Sequence, residues 1–498
     1  MESSPSPDLD APVESAAEPG ADRIPRELIM LGIAITLGVV LSTLDTTIVS
    51  VGLDTMGRQL HTSISTIQWV TTSYLLAFSM VIPVCGWTLE RFGTRRTWMV
   101  SLTVFLIGSA LCGVSWSIGS LIAFRALQGL GGGMLLPLSQ TILAKAAGPR
   151  LLGRFMGMAA VPGMLSPAFG PVLGGLIVDH LHWSWLFFVN LPFGAVALVL
   201  AMRLLPRDER GARKPLDVVS LLLLSPGLAL FTLACVDEGS ATSGVSATVI
   251  VLFVVSVAML VAFTVHSLRR RRPPLVDLRL FRHRSLTASS VTAALLGASL
   301  FGSLFLFPLY YQQVRGQSAM VAGLLLAPQG IGAVLVTPRA GRLTDRYGPG
   351  RVVLTGMALV LLGTLPYVFV TEHTPELWLG AVLVVRGVGL GMTFMPTLVA
   401  AYHGIERDQI QGATAIINIA QRIGGSCGTA LLSVVLERTF LREAGPHANL
   451  GSVLPGTVEA HHLTDAFGAA FWWTLGFAAL ALLPALFLPR RAAADARR

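Results

Sequence analysis

The chain has 498 residues, 53% of them hydrophobic and 13% charged, with a formal net charge of +9 and a mean hydropathy of +0.69. Soluble domains carry about 25% charged residues, so a fully water-soluble fold is excluded. The basic excess has a source other than nucleic-acid binding, as the distribution of the charges along the chain shows.

Residues 1–22 are rich in Pro, Ser, Ala and acids and hold no Lys or Arg. They read as a disordered tail, and the missing basic n-region argues against a signal peptide. From Leu28 onward, apolar runs of about 20 residues recur, each long enough to cross about 30 Å of hydrocarbon. The predicted spans are 29–52, 66–86, 97–115, 117–143, 154–178, 184–205, 217–236, 246–268, 286–311, 318–338, 351–370, 376–401, 412–436 and 467–489. This is an all-α polytopic membrane protein with fourteen helices, and its termini lie on one side of the bilayer. The loops and tails on that side hold 29 of the 36 Lys and Arg residues, and the other side holds only Arg58, Arg315, Arg438 and Arg442. The positive-inside rule therefore places both termini in the cytoplasm, and the membrane is expected to be the cytoplasmic one. The net charge reflects this topology, and no nucleic-acid partner is expected. The four cysteines fall within helices without a CxxC pair, which gives neither a disulfide framework nor a zinc site.

An internal repeat divides the chain. GWTLERFGTRR (86–96) follows helix 2, and GRLTDRYGPGR (341–351) follows helix 10. Each has Gly, an acid–Arg pair, an aromatic–Gly pair and further Arg. Arg125 in helix 4 matches Arg386 in helix 12, and GPVLGG (170–175) in helix 5 is echoed by GGSCG (424–428) in helix 13. Helices 1–6 therefore correspond to helices 9–14. The expected organisation is a tail (1–27), an N-terminal six-helix half (28–205), an inserted two-helix segment with basic loops (206–285), a C-terminal six-helix half (286–489) and a short tail (490–498). Parallel repeats of this kind place a substrate site near the midplane between them.

These features resemble the major facilitator superfamily, specifically its fourteen-helix drug:proton antiporter branch, over about residues 28–489. LDTTIVSVGL (44–53) is similar to that branch's helix-1 motif, and Trp69–Leu76 to its helix 2. Arg125, Gln128 and Gly129 match the RxxQG motif of helix 4. Gly170, Pro171, Gly174 and Gly175 match the GPxxGG motif of helix 5, and WSWLFFVNLPFG (183–194) resembles the start of helix 6. Ser50, Asp54 and Glu90 depart from the pattern, standing where Asn, Pro and Asp are usual. The resemblance implies a multidrug or antibiotic exporter that exchanges its cargo for protons, works as a monomer and uses no cofactor.

The residues carry their own argument. Gly38, Ser42, Asp45, Val49 and Gly52 step by 4, 3, 4 and 3, which puts Asp45 on a small, polar face turned into the bundle. Asp45 and Arg125 each lie eight residues from the outer ends of helices 1 and 4, roughly 12 Å deep at 1.5 Å per residue. Asp45 is either half of a structural ion pair, a cap at a kink, or a proton carrier. The last reading is preferred because no other acid lies well inside a predicted helix and intramembrane acids are functional by default. Arg125 is read as its tuning partner, with snorkelling to the interface as the alternative. The stripe Gly163, Gly170 and Gly174 is read as a flexing contact between halves, against generic tight packing. Gly86, Glu90, Arg91, Gly93 and Arg95, with Gly341, Asp345 and Arg346, are read as a cytoplasmic latch of the outward-open state, against charges that only set topology.

In helix 13, Ala415, Asn418, Arg422 and Gly425 share a face that lines the C-half cavity or serves assembly. Gln68, Tyr74, Gln128, Phe301, Phe305, Tyr310, Asn418 and Arg422 are substrate-cavity candidates, with plain packing the alternative for each. The arginine run 269–272 either binds anionic lipid or anchors its loop. GLGGG (129–133) lacks the Lys-Ser/Thr of a phosphate loop and lies inside a span, which disfavours ATP-driven transport. No Ser/His or HExxH constellation lies within the helices, so an enzyme is not expected. The reading is a proton-coupled exporter of lipophilic small molecules. The alternatives are a dedicated exporter of one endogenous metabolite or antibiotic, and a non-transporting sensor on the same fold.

Overall fold

The computed structural model describes residues 26–205, 216–238, 247–270, 275–371, 374–406, 409–445 and 458–490. Among these residues the chain is helical, without a strand. Its helices are α1 (Arg26–Gln59), α2 (Ile64–Val81), α3 (Val84–Phe92), α4 (Thr94–Gly113), α5 (Ile118–His180), α6 (Trp185–Phe188), α7 (Asn190–Leu204), α8 (Val218–Glu238) and α9 (Ala247–Arg269). After a short 3-10 turn come α10 (Arg284–Leu309), α11 (Ala319–Tyr347), α12 (Pro349–Val368), α13 (Glu376–Ala401), α14 (Ile410–Ala444) and α15 (Val458–Ala485). The predicted tails and most of the basic loop after α7 lie outside the described residues, as do the side chains of Asp54, Gly163 and Pro171.

Among the described residues twelve helices are long and apolar enough to cross a membrane, or thirteen when α2 and α3 count as one span bent by 57°. The bend falls at Pro83, which has no N–H to continue the helical ladder. The expectation was fourteen spans, and the difference lies in α5. This helix runs for 63 residues, starting from a Ser117–Ser120 capping box. Arg125 near its start bonds Asp45 of α1, and a Cβ on Gly170 would meet Thr47 Oγ1 of the same α1 turn at 1.9 Å. In a straight helix those two positions would stand about 68 Å apart. The helical run therefore doubles back between them, and its second arm supplies a return passage.

The two repeated segments differ from the expected loops. GWTLERFGTRR is mostly helix, since α3 runs to Phe92 and α4 starts at Thr94. A single residue, Gly93 at φ 86°, turns the chain between them. In the second copy α11 runs to Tyr347, α12 starts at Pro349, and Gly348 turns the chain at φ 85°. Side chains with a Cβ are strained in that left-handed region, which is why glycine stands at both turns.

In the first part of the chain α1 packs on α5, α7 and α2, and α4 packs on α5 and α7; in the last part α10 packs on α14, α15 and α13, and α12 on α13 and α15. The main seam between these two sets is α5 against α11. α8 and α9 pair with each other, and α8 also lies against α2 and α14, one helix from each set. Most of α9 faces outward through branched apolar side chains such as Val251, Val254 and Val261, as expected where lipid replaces water. At the base of this pair Asp217 accepts from Ser220 and from Arg270, with His266 at 3.4 Å. Burial pushes the Asp217 carboxyl up, but the Ser220 hydrogen bonds and the Arg270 and His266 charges hold it below its ordinary value. Arg270 of the arginine run is thus tied to a protein carboxylate. Arg271 and Arg272 lie outside the described residues.

The glycines of GPxxGG do not meet the second set. Gly170 packs on Thr47 and Gly174 on Ile48 and Val51, all of α1, and Gly175 has nothing near it. The seam uses other glycines: a Cβ on Gly153 or Gly157 would come within 2.8 Å of α11 backbone, and one on Gly341 within 2.4 Å of Gly153 O. Gly170→Val is expected to lift the second arm of α5 off α1 and cost about 1–3 kcal/mol or more from overpacking. A lowered midpoint of thermal unfolding in detergent checks this, and an unchanged midpoint contradicts it.

Candidate functional site

The small-residue face of α1 is buried as a stripe. Ser42, Asp45 and Val49 are at most 1% exposed, and a Cβ on Gly38 would sit 2.8 Å from Trp98. Asp45 therefore ends inside the helix bundle, where a lone charge would be costly. The fold meets that cost with three donors. Arg125 Nη1 lies 2.6 Å from Oδ2. Gln128 Nε2 and Asn190 Nδ2 both donate to Oδ1 at 2.9 Å. Arg125 and Gln128, one turn apart on α5, are also joined by Nη1 to Oε1 at 2.8 Å.

The surroundings fix this constellation. Arg125 Nε donates to the carbonyl of Val70 at 3.1 Å. Its guanidinium lies 4.3 Å from the centre of the Tyr74 ring and 5.7 Å from that of Phe187. Tyr74 itself donates to Ser42 O at 3.2 Å. Asn190 also donates to Ser109 Oγ at 3.0 Å, and Ser109 donates to Phe187 O at 2.8 Å. Arg125 Nη2 and Asn190 Oδ1 are buried with no hydrogen-bond partner. A buried ion pair adds little to stability, because desolvation opposes its attraction.

Asn190 was missed by the sequence reasoning. It sits at the first turn of α7, after the break at Val189, within VNLPFG. That stretch was read for its resemblance alone. A polar amide in an apolar run that is not needed as a cap was the signal available. Asn190→Ala removes one of the two donors on Oδ1. We expect transport to fall two- to tenfold and stability to drop by about 1–3 kcal/mol. Transport in vesicles and a thermal midpoint check both, and unchanged values would remove Asn190 from the site.

Arg386 of α13 is the counterpart in the second set, equally buried. It donates to Thr364 Oγ1 at 3.2 Å, to Ser303 Oγ at 2.6 Å and to Gln329 Oε1. No carboxylate among the described residues pairs with it. A glycine on the neighbouring helix makes room close to each arginine: a Cβ on Gly108 would meet Gln128 Cβ, one turn from Arg125, at 2.7 Å, and one on Gly363 would meet Arg386 Cβ itself at 2.6 Å.

Residues 35–429 match the sequence model of the Major Facilitator Superfamily. The chain belongs to the major facilitator superfamily. It is 37% identical to a multidrug resistance protein B homolog of Mycobacterium tuberculosis (strain ATCC 25618 / H37Rv), over 98% of this chain and 96% of that one. It is 31% identical to the multidrug export protein EmrB of Escherichia coli (strain K12), over 85% of this chain and 82% of that one. Among solved structures, the proton:xylose symporter XylE with bound 6-bromo-6-deoxy-D-glucose matches with a TM-score of 0.63 at 15% identity, over 92% of this chain and 94% of that one. As a major facilitator protein the chain is a multi-pass membrane protein, and the two sets of helices described above are arranged as in that fold.

In this major facilitator chain, hydrogen bonds join the two sets at the end that carries the Gly93 and Gly348 turns. Asp345 accepts from the amides of Gly153 and Arg154, both at 2.9 Å. Gln411 of α14 donates to Glu90 and accepts from Lys145 at 3.0 Å. Asn418 donates to Gln140 at 2.7 Å. The repeated motif thus supplies one acid to each of two cross-links, whereas Arg95 turns back onto Met202 O and Arg346 onto the Tyr347 ring. Gly86 approaches Gln411, and Arg91 is partly buried on α3.

The cavity candidates divide. Tyr74 and Gln128 belong to the Asp45 network and are fully buried. Tyr310 is fully buried and donates to Thr371 O. Asn418 donates to Gln140 among the cross-links between the two sets, and Gln68 is exposed. Phe301, Phe305 and Arg422 keep part of their surface accessible.

Proposed function

We propose that the protein is a proton-coupled antiporter that exports lipophilic small molecules across the cytoplasmic membrane by alternating access. The carrying observation is the sealed Asp45 network, in which one carboxylate is bound by three side chains from α5 and α7. The bias of Lys and Arg puts the cross-linked end in the cytoplasm, so the described conformation is closed inward. The relatives named as multidrug resistance or export proteins favour export of drug-like cargo.

The cycle follows from the charges. An external proton on Asp45 leaves the guanidinium of Arg125 buried without its counter-charge, which disfavours this packing. The two sets rock about the α5–α11 seam, releasing the amides of Gly153 and Arg154 from Asp345. Cargo enters from inside, and its binding favours release of the proton to the cytoplasm. The restored Asp45–Arg125 pair then stabilises the return to the outward-facing form. Proton and cargo thus favour opposite states, which is all that exchange requires.

The test is reconstitution in vesicles with an imposed pH gradient and a lipophilic fluorescent dye as cargo. Dye moving uphill toward the acidic side supports the reading. A protein that ignores the gradient contradicts it.

A further inference from the structure

Arg422 is the one arginine of the three deep in the spans that the Asp45 network and the Arg386 cluster leave unexplained. It lies on α14, whose neighbouring glycines lock it to α10: a Cβ on Gly424 would meet Ala294 O at 1.9 Å, and one on Gly428 would meet Ala298 Cα at 2.4 Å. From that fixed helix its guanidinium reaches across to Phe78 of α2, 4.4 Å from the ring centre, with the Phe301 ring of α10 at 5.8 Å. One ring belongs to each set, so Arg422 stands where the two sets face each other. Among the described residues no carboxylate, carbonyl or hydroxyl hydrogen-bonds it. Its side chain remains partly accessible, unlike Asp45, Arg125 and Arg386, which are fully buried.

We infer that the space between the two sets binds a lipophilic organic anion, with Arg422 holding its carboxylate, phenolate or sulfonate and Phe78 and Phe301 holding its apolar body. This inference rests on the exporter reading and narrows its cargo. The Arg422 guanidinium lies 4.4 Å from the centre of the Phe78 ring with no hydrogen-bond acceptor among the described residues, so its N–H donors are left for bidentate contact with an anionic head group. Ring faces beside it accept aromatic or aliphatic surface. The local charge also has one sign: Asp45 neutralises Arg125, while Arg422 has no carboxylate partner among the described residues. Such a site repels a cationic cargo and attracts an anionic one, and the low-dielectric surroundings strengthen both effects.

The position of Arg422 also links cargo to proton. Arg125 lies on the Tyr74 ring, the Tyr74 and Phe78 rings are 6.0 Å apart, and Arg422 lies on Phe78. One turn of α2 therefore touches both the proton site and the anion site. A cargo that pulls Arg422 off Phe78 frees that turn to shift against Arg125. Export of an anion against entry of a proton also moves charge the same way twice, so an inside-negative membrane potential drives the exchange together with the pH gradient.

The test uses purified protein in phosphatidylcholine nanodiscs, with 1-pyrenebutyrate and 4-(1-pyrenyl)butyl-trimethylammonium as matched probes of opposite charge. Wild type is expected to bind the anion at least tenfold more tightly than the cation. Arg422→Gln is expected to raise the anion's Kd tenfold or more and to leave the cation's unchanged or lower. Arg422→Lys, which keeps the charge and loses the fork, retains the anion preference with a several-fold weaker Kd, and it serves as the deciding variant should Arg422→Gln not fold. The inference is overturned if wild type binds the cation as tightly as the anion, or if Arg422→Gln leaves the anion's Kd unchanged. Binding needs no gradient. Anion binding that depends on Arg422 without gradient-driven movement therefore counts against the antiport reading alone and leaves the anion site standing.

Discussion

Asp45→Asn is expected to abolish uphill, gradient-driven transport while leaving downhill exchange of cargo measurable. The amide keeps a carbonyl that accepts from Arg125, Gln128 or Asn190, so the packing around α1 survives in outline. It cannot take up or release a proton, and a carrier without that step has nothing to couple. The variant also leaves Arg125 fully buried with no counter-charge, for which about 3–5 kcal/mol of destabilisation is expected. Stability is therefore measured beside transport, by thermal unfolding in detergent. Asp45→Glu retains a titratable acid one methylene longer and should keep part of the uphill activity. If Asn accumulates cargo as wild type does, Asp45 is a structural partner of Arg125 and nothing more.

Gly341→Leu is expected to open the closed end. A Cβ at this position would lie 2.4 Å from Gly153 O and 2.9 Å from Arg154 Cα, both backbone atoms that cannot swing aside. The clash falls beside the amides that Asp345 binds, so one substitution loosens both the close packing and the acid link. Overpacking of about 1–3 kcal/mol against this conformation shifts its population by about 5- to 150-fold. Spin labels at the exposed positions Phe92 and Tyr347, one on each set, report the change as a longer inter-label distance. Transport falls with it, because the cycle must pass through the closed state. An unchanged distance distribution would mean that the α5–α11 seam does not hold the conformation. Asp345→Ala removes only the acceptor and should give a smaller shift in the same direction.

Much of the fold was legible because lipid imposes a simple rule. Each passage needs about 20 apolar residues with its backbone bonds satisfied internally, and such runs stand out in sequence. The charge-rich segments 86–96 and 341–351 were harder. They carry no apolar periodicity, so they read as loops, although each is mainly helix turned by one left-handed glycine. The double passage of α5 was hidden in another way. Its two apolar runs were visible, but nothing in the sequence said that the helix continues between them.

The site was legible in its charges and less so in its amides. An acid and an arginine at equal depth on neighbouring helices invite pairing, and the contact at 2.6 Å is the one that depth suggests. Asn190 carries no charge and no periodic partner, so only its place in the fold brings it onto Asp45. Glycines were the least informative, since a missing side chain does not name its neighbour. Gly170 and Gly174 turned out to face α1, and the seam fell to Gly153, Gly157 and Gly341. Arg422 stood out as an arginine inside a span, but its place between the Phe78 and Phe301 rings needed both sets in place.

In the proposed cycle cargo and proton exchange through Asp45, and proton release on cargo binding measures that directly. Purified protein in weakly buffered solution with a pH-indicating dye is mixed with saturating cargo. Wild type is predicted to release protons on mixing, and Asp45→Asn, at equal cargo occupancy, to release none. Equal release from both proteins would contradict the account.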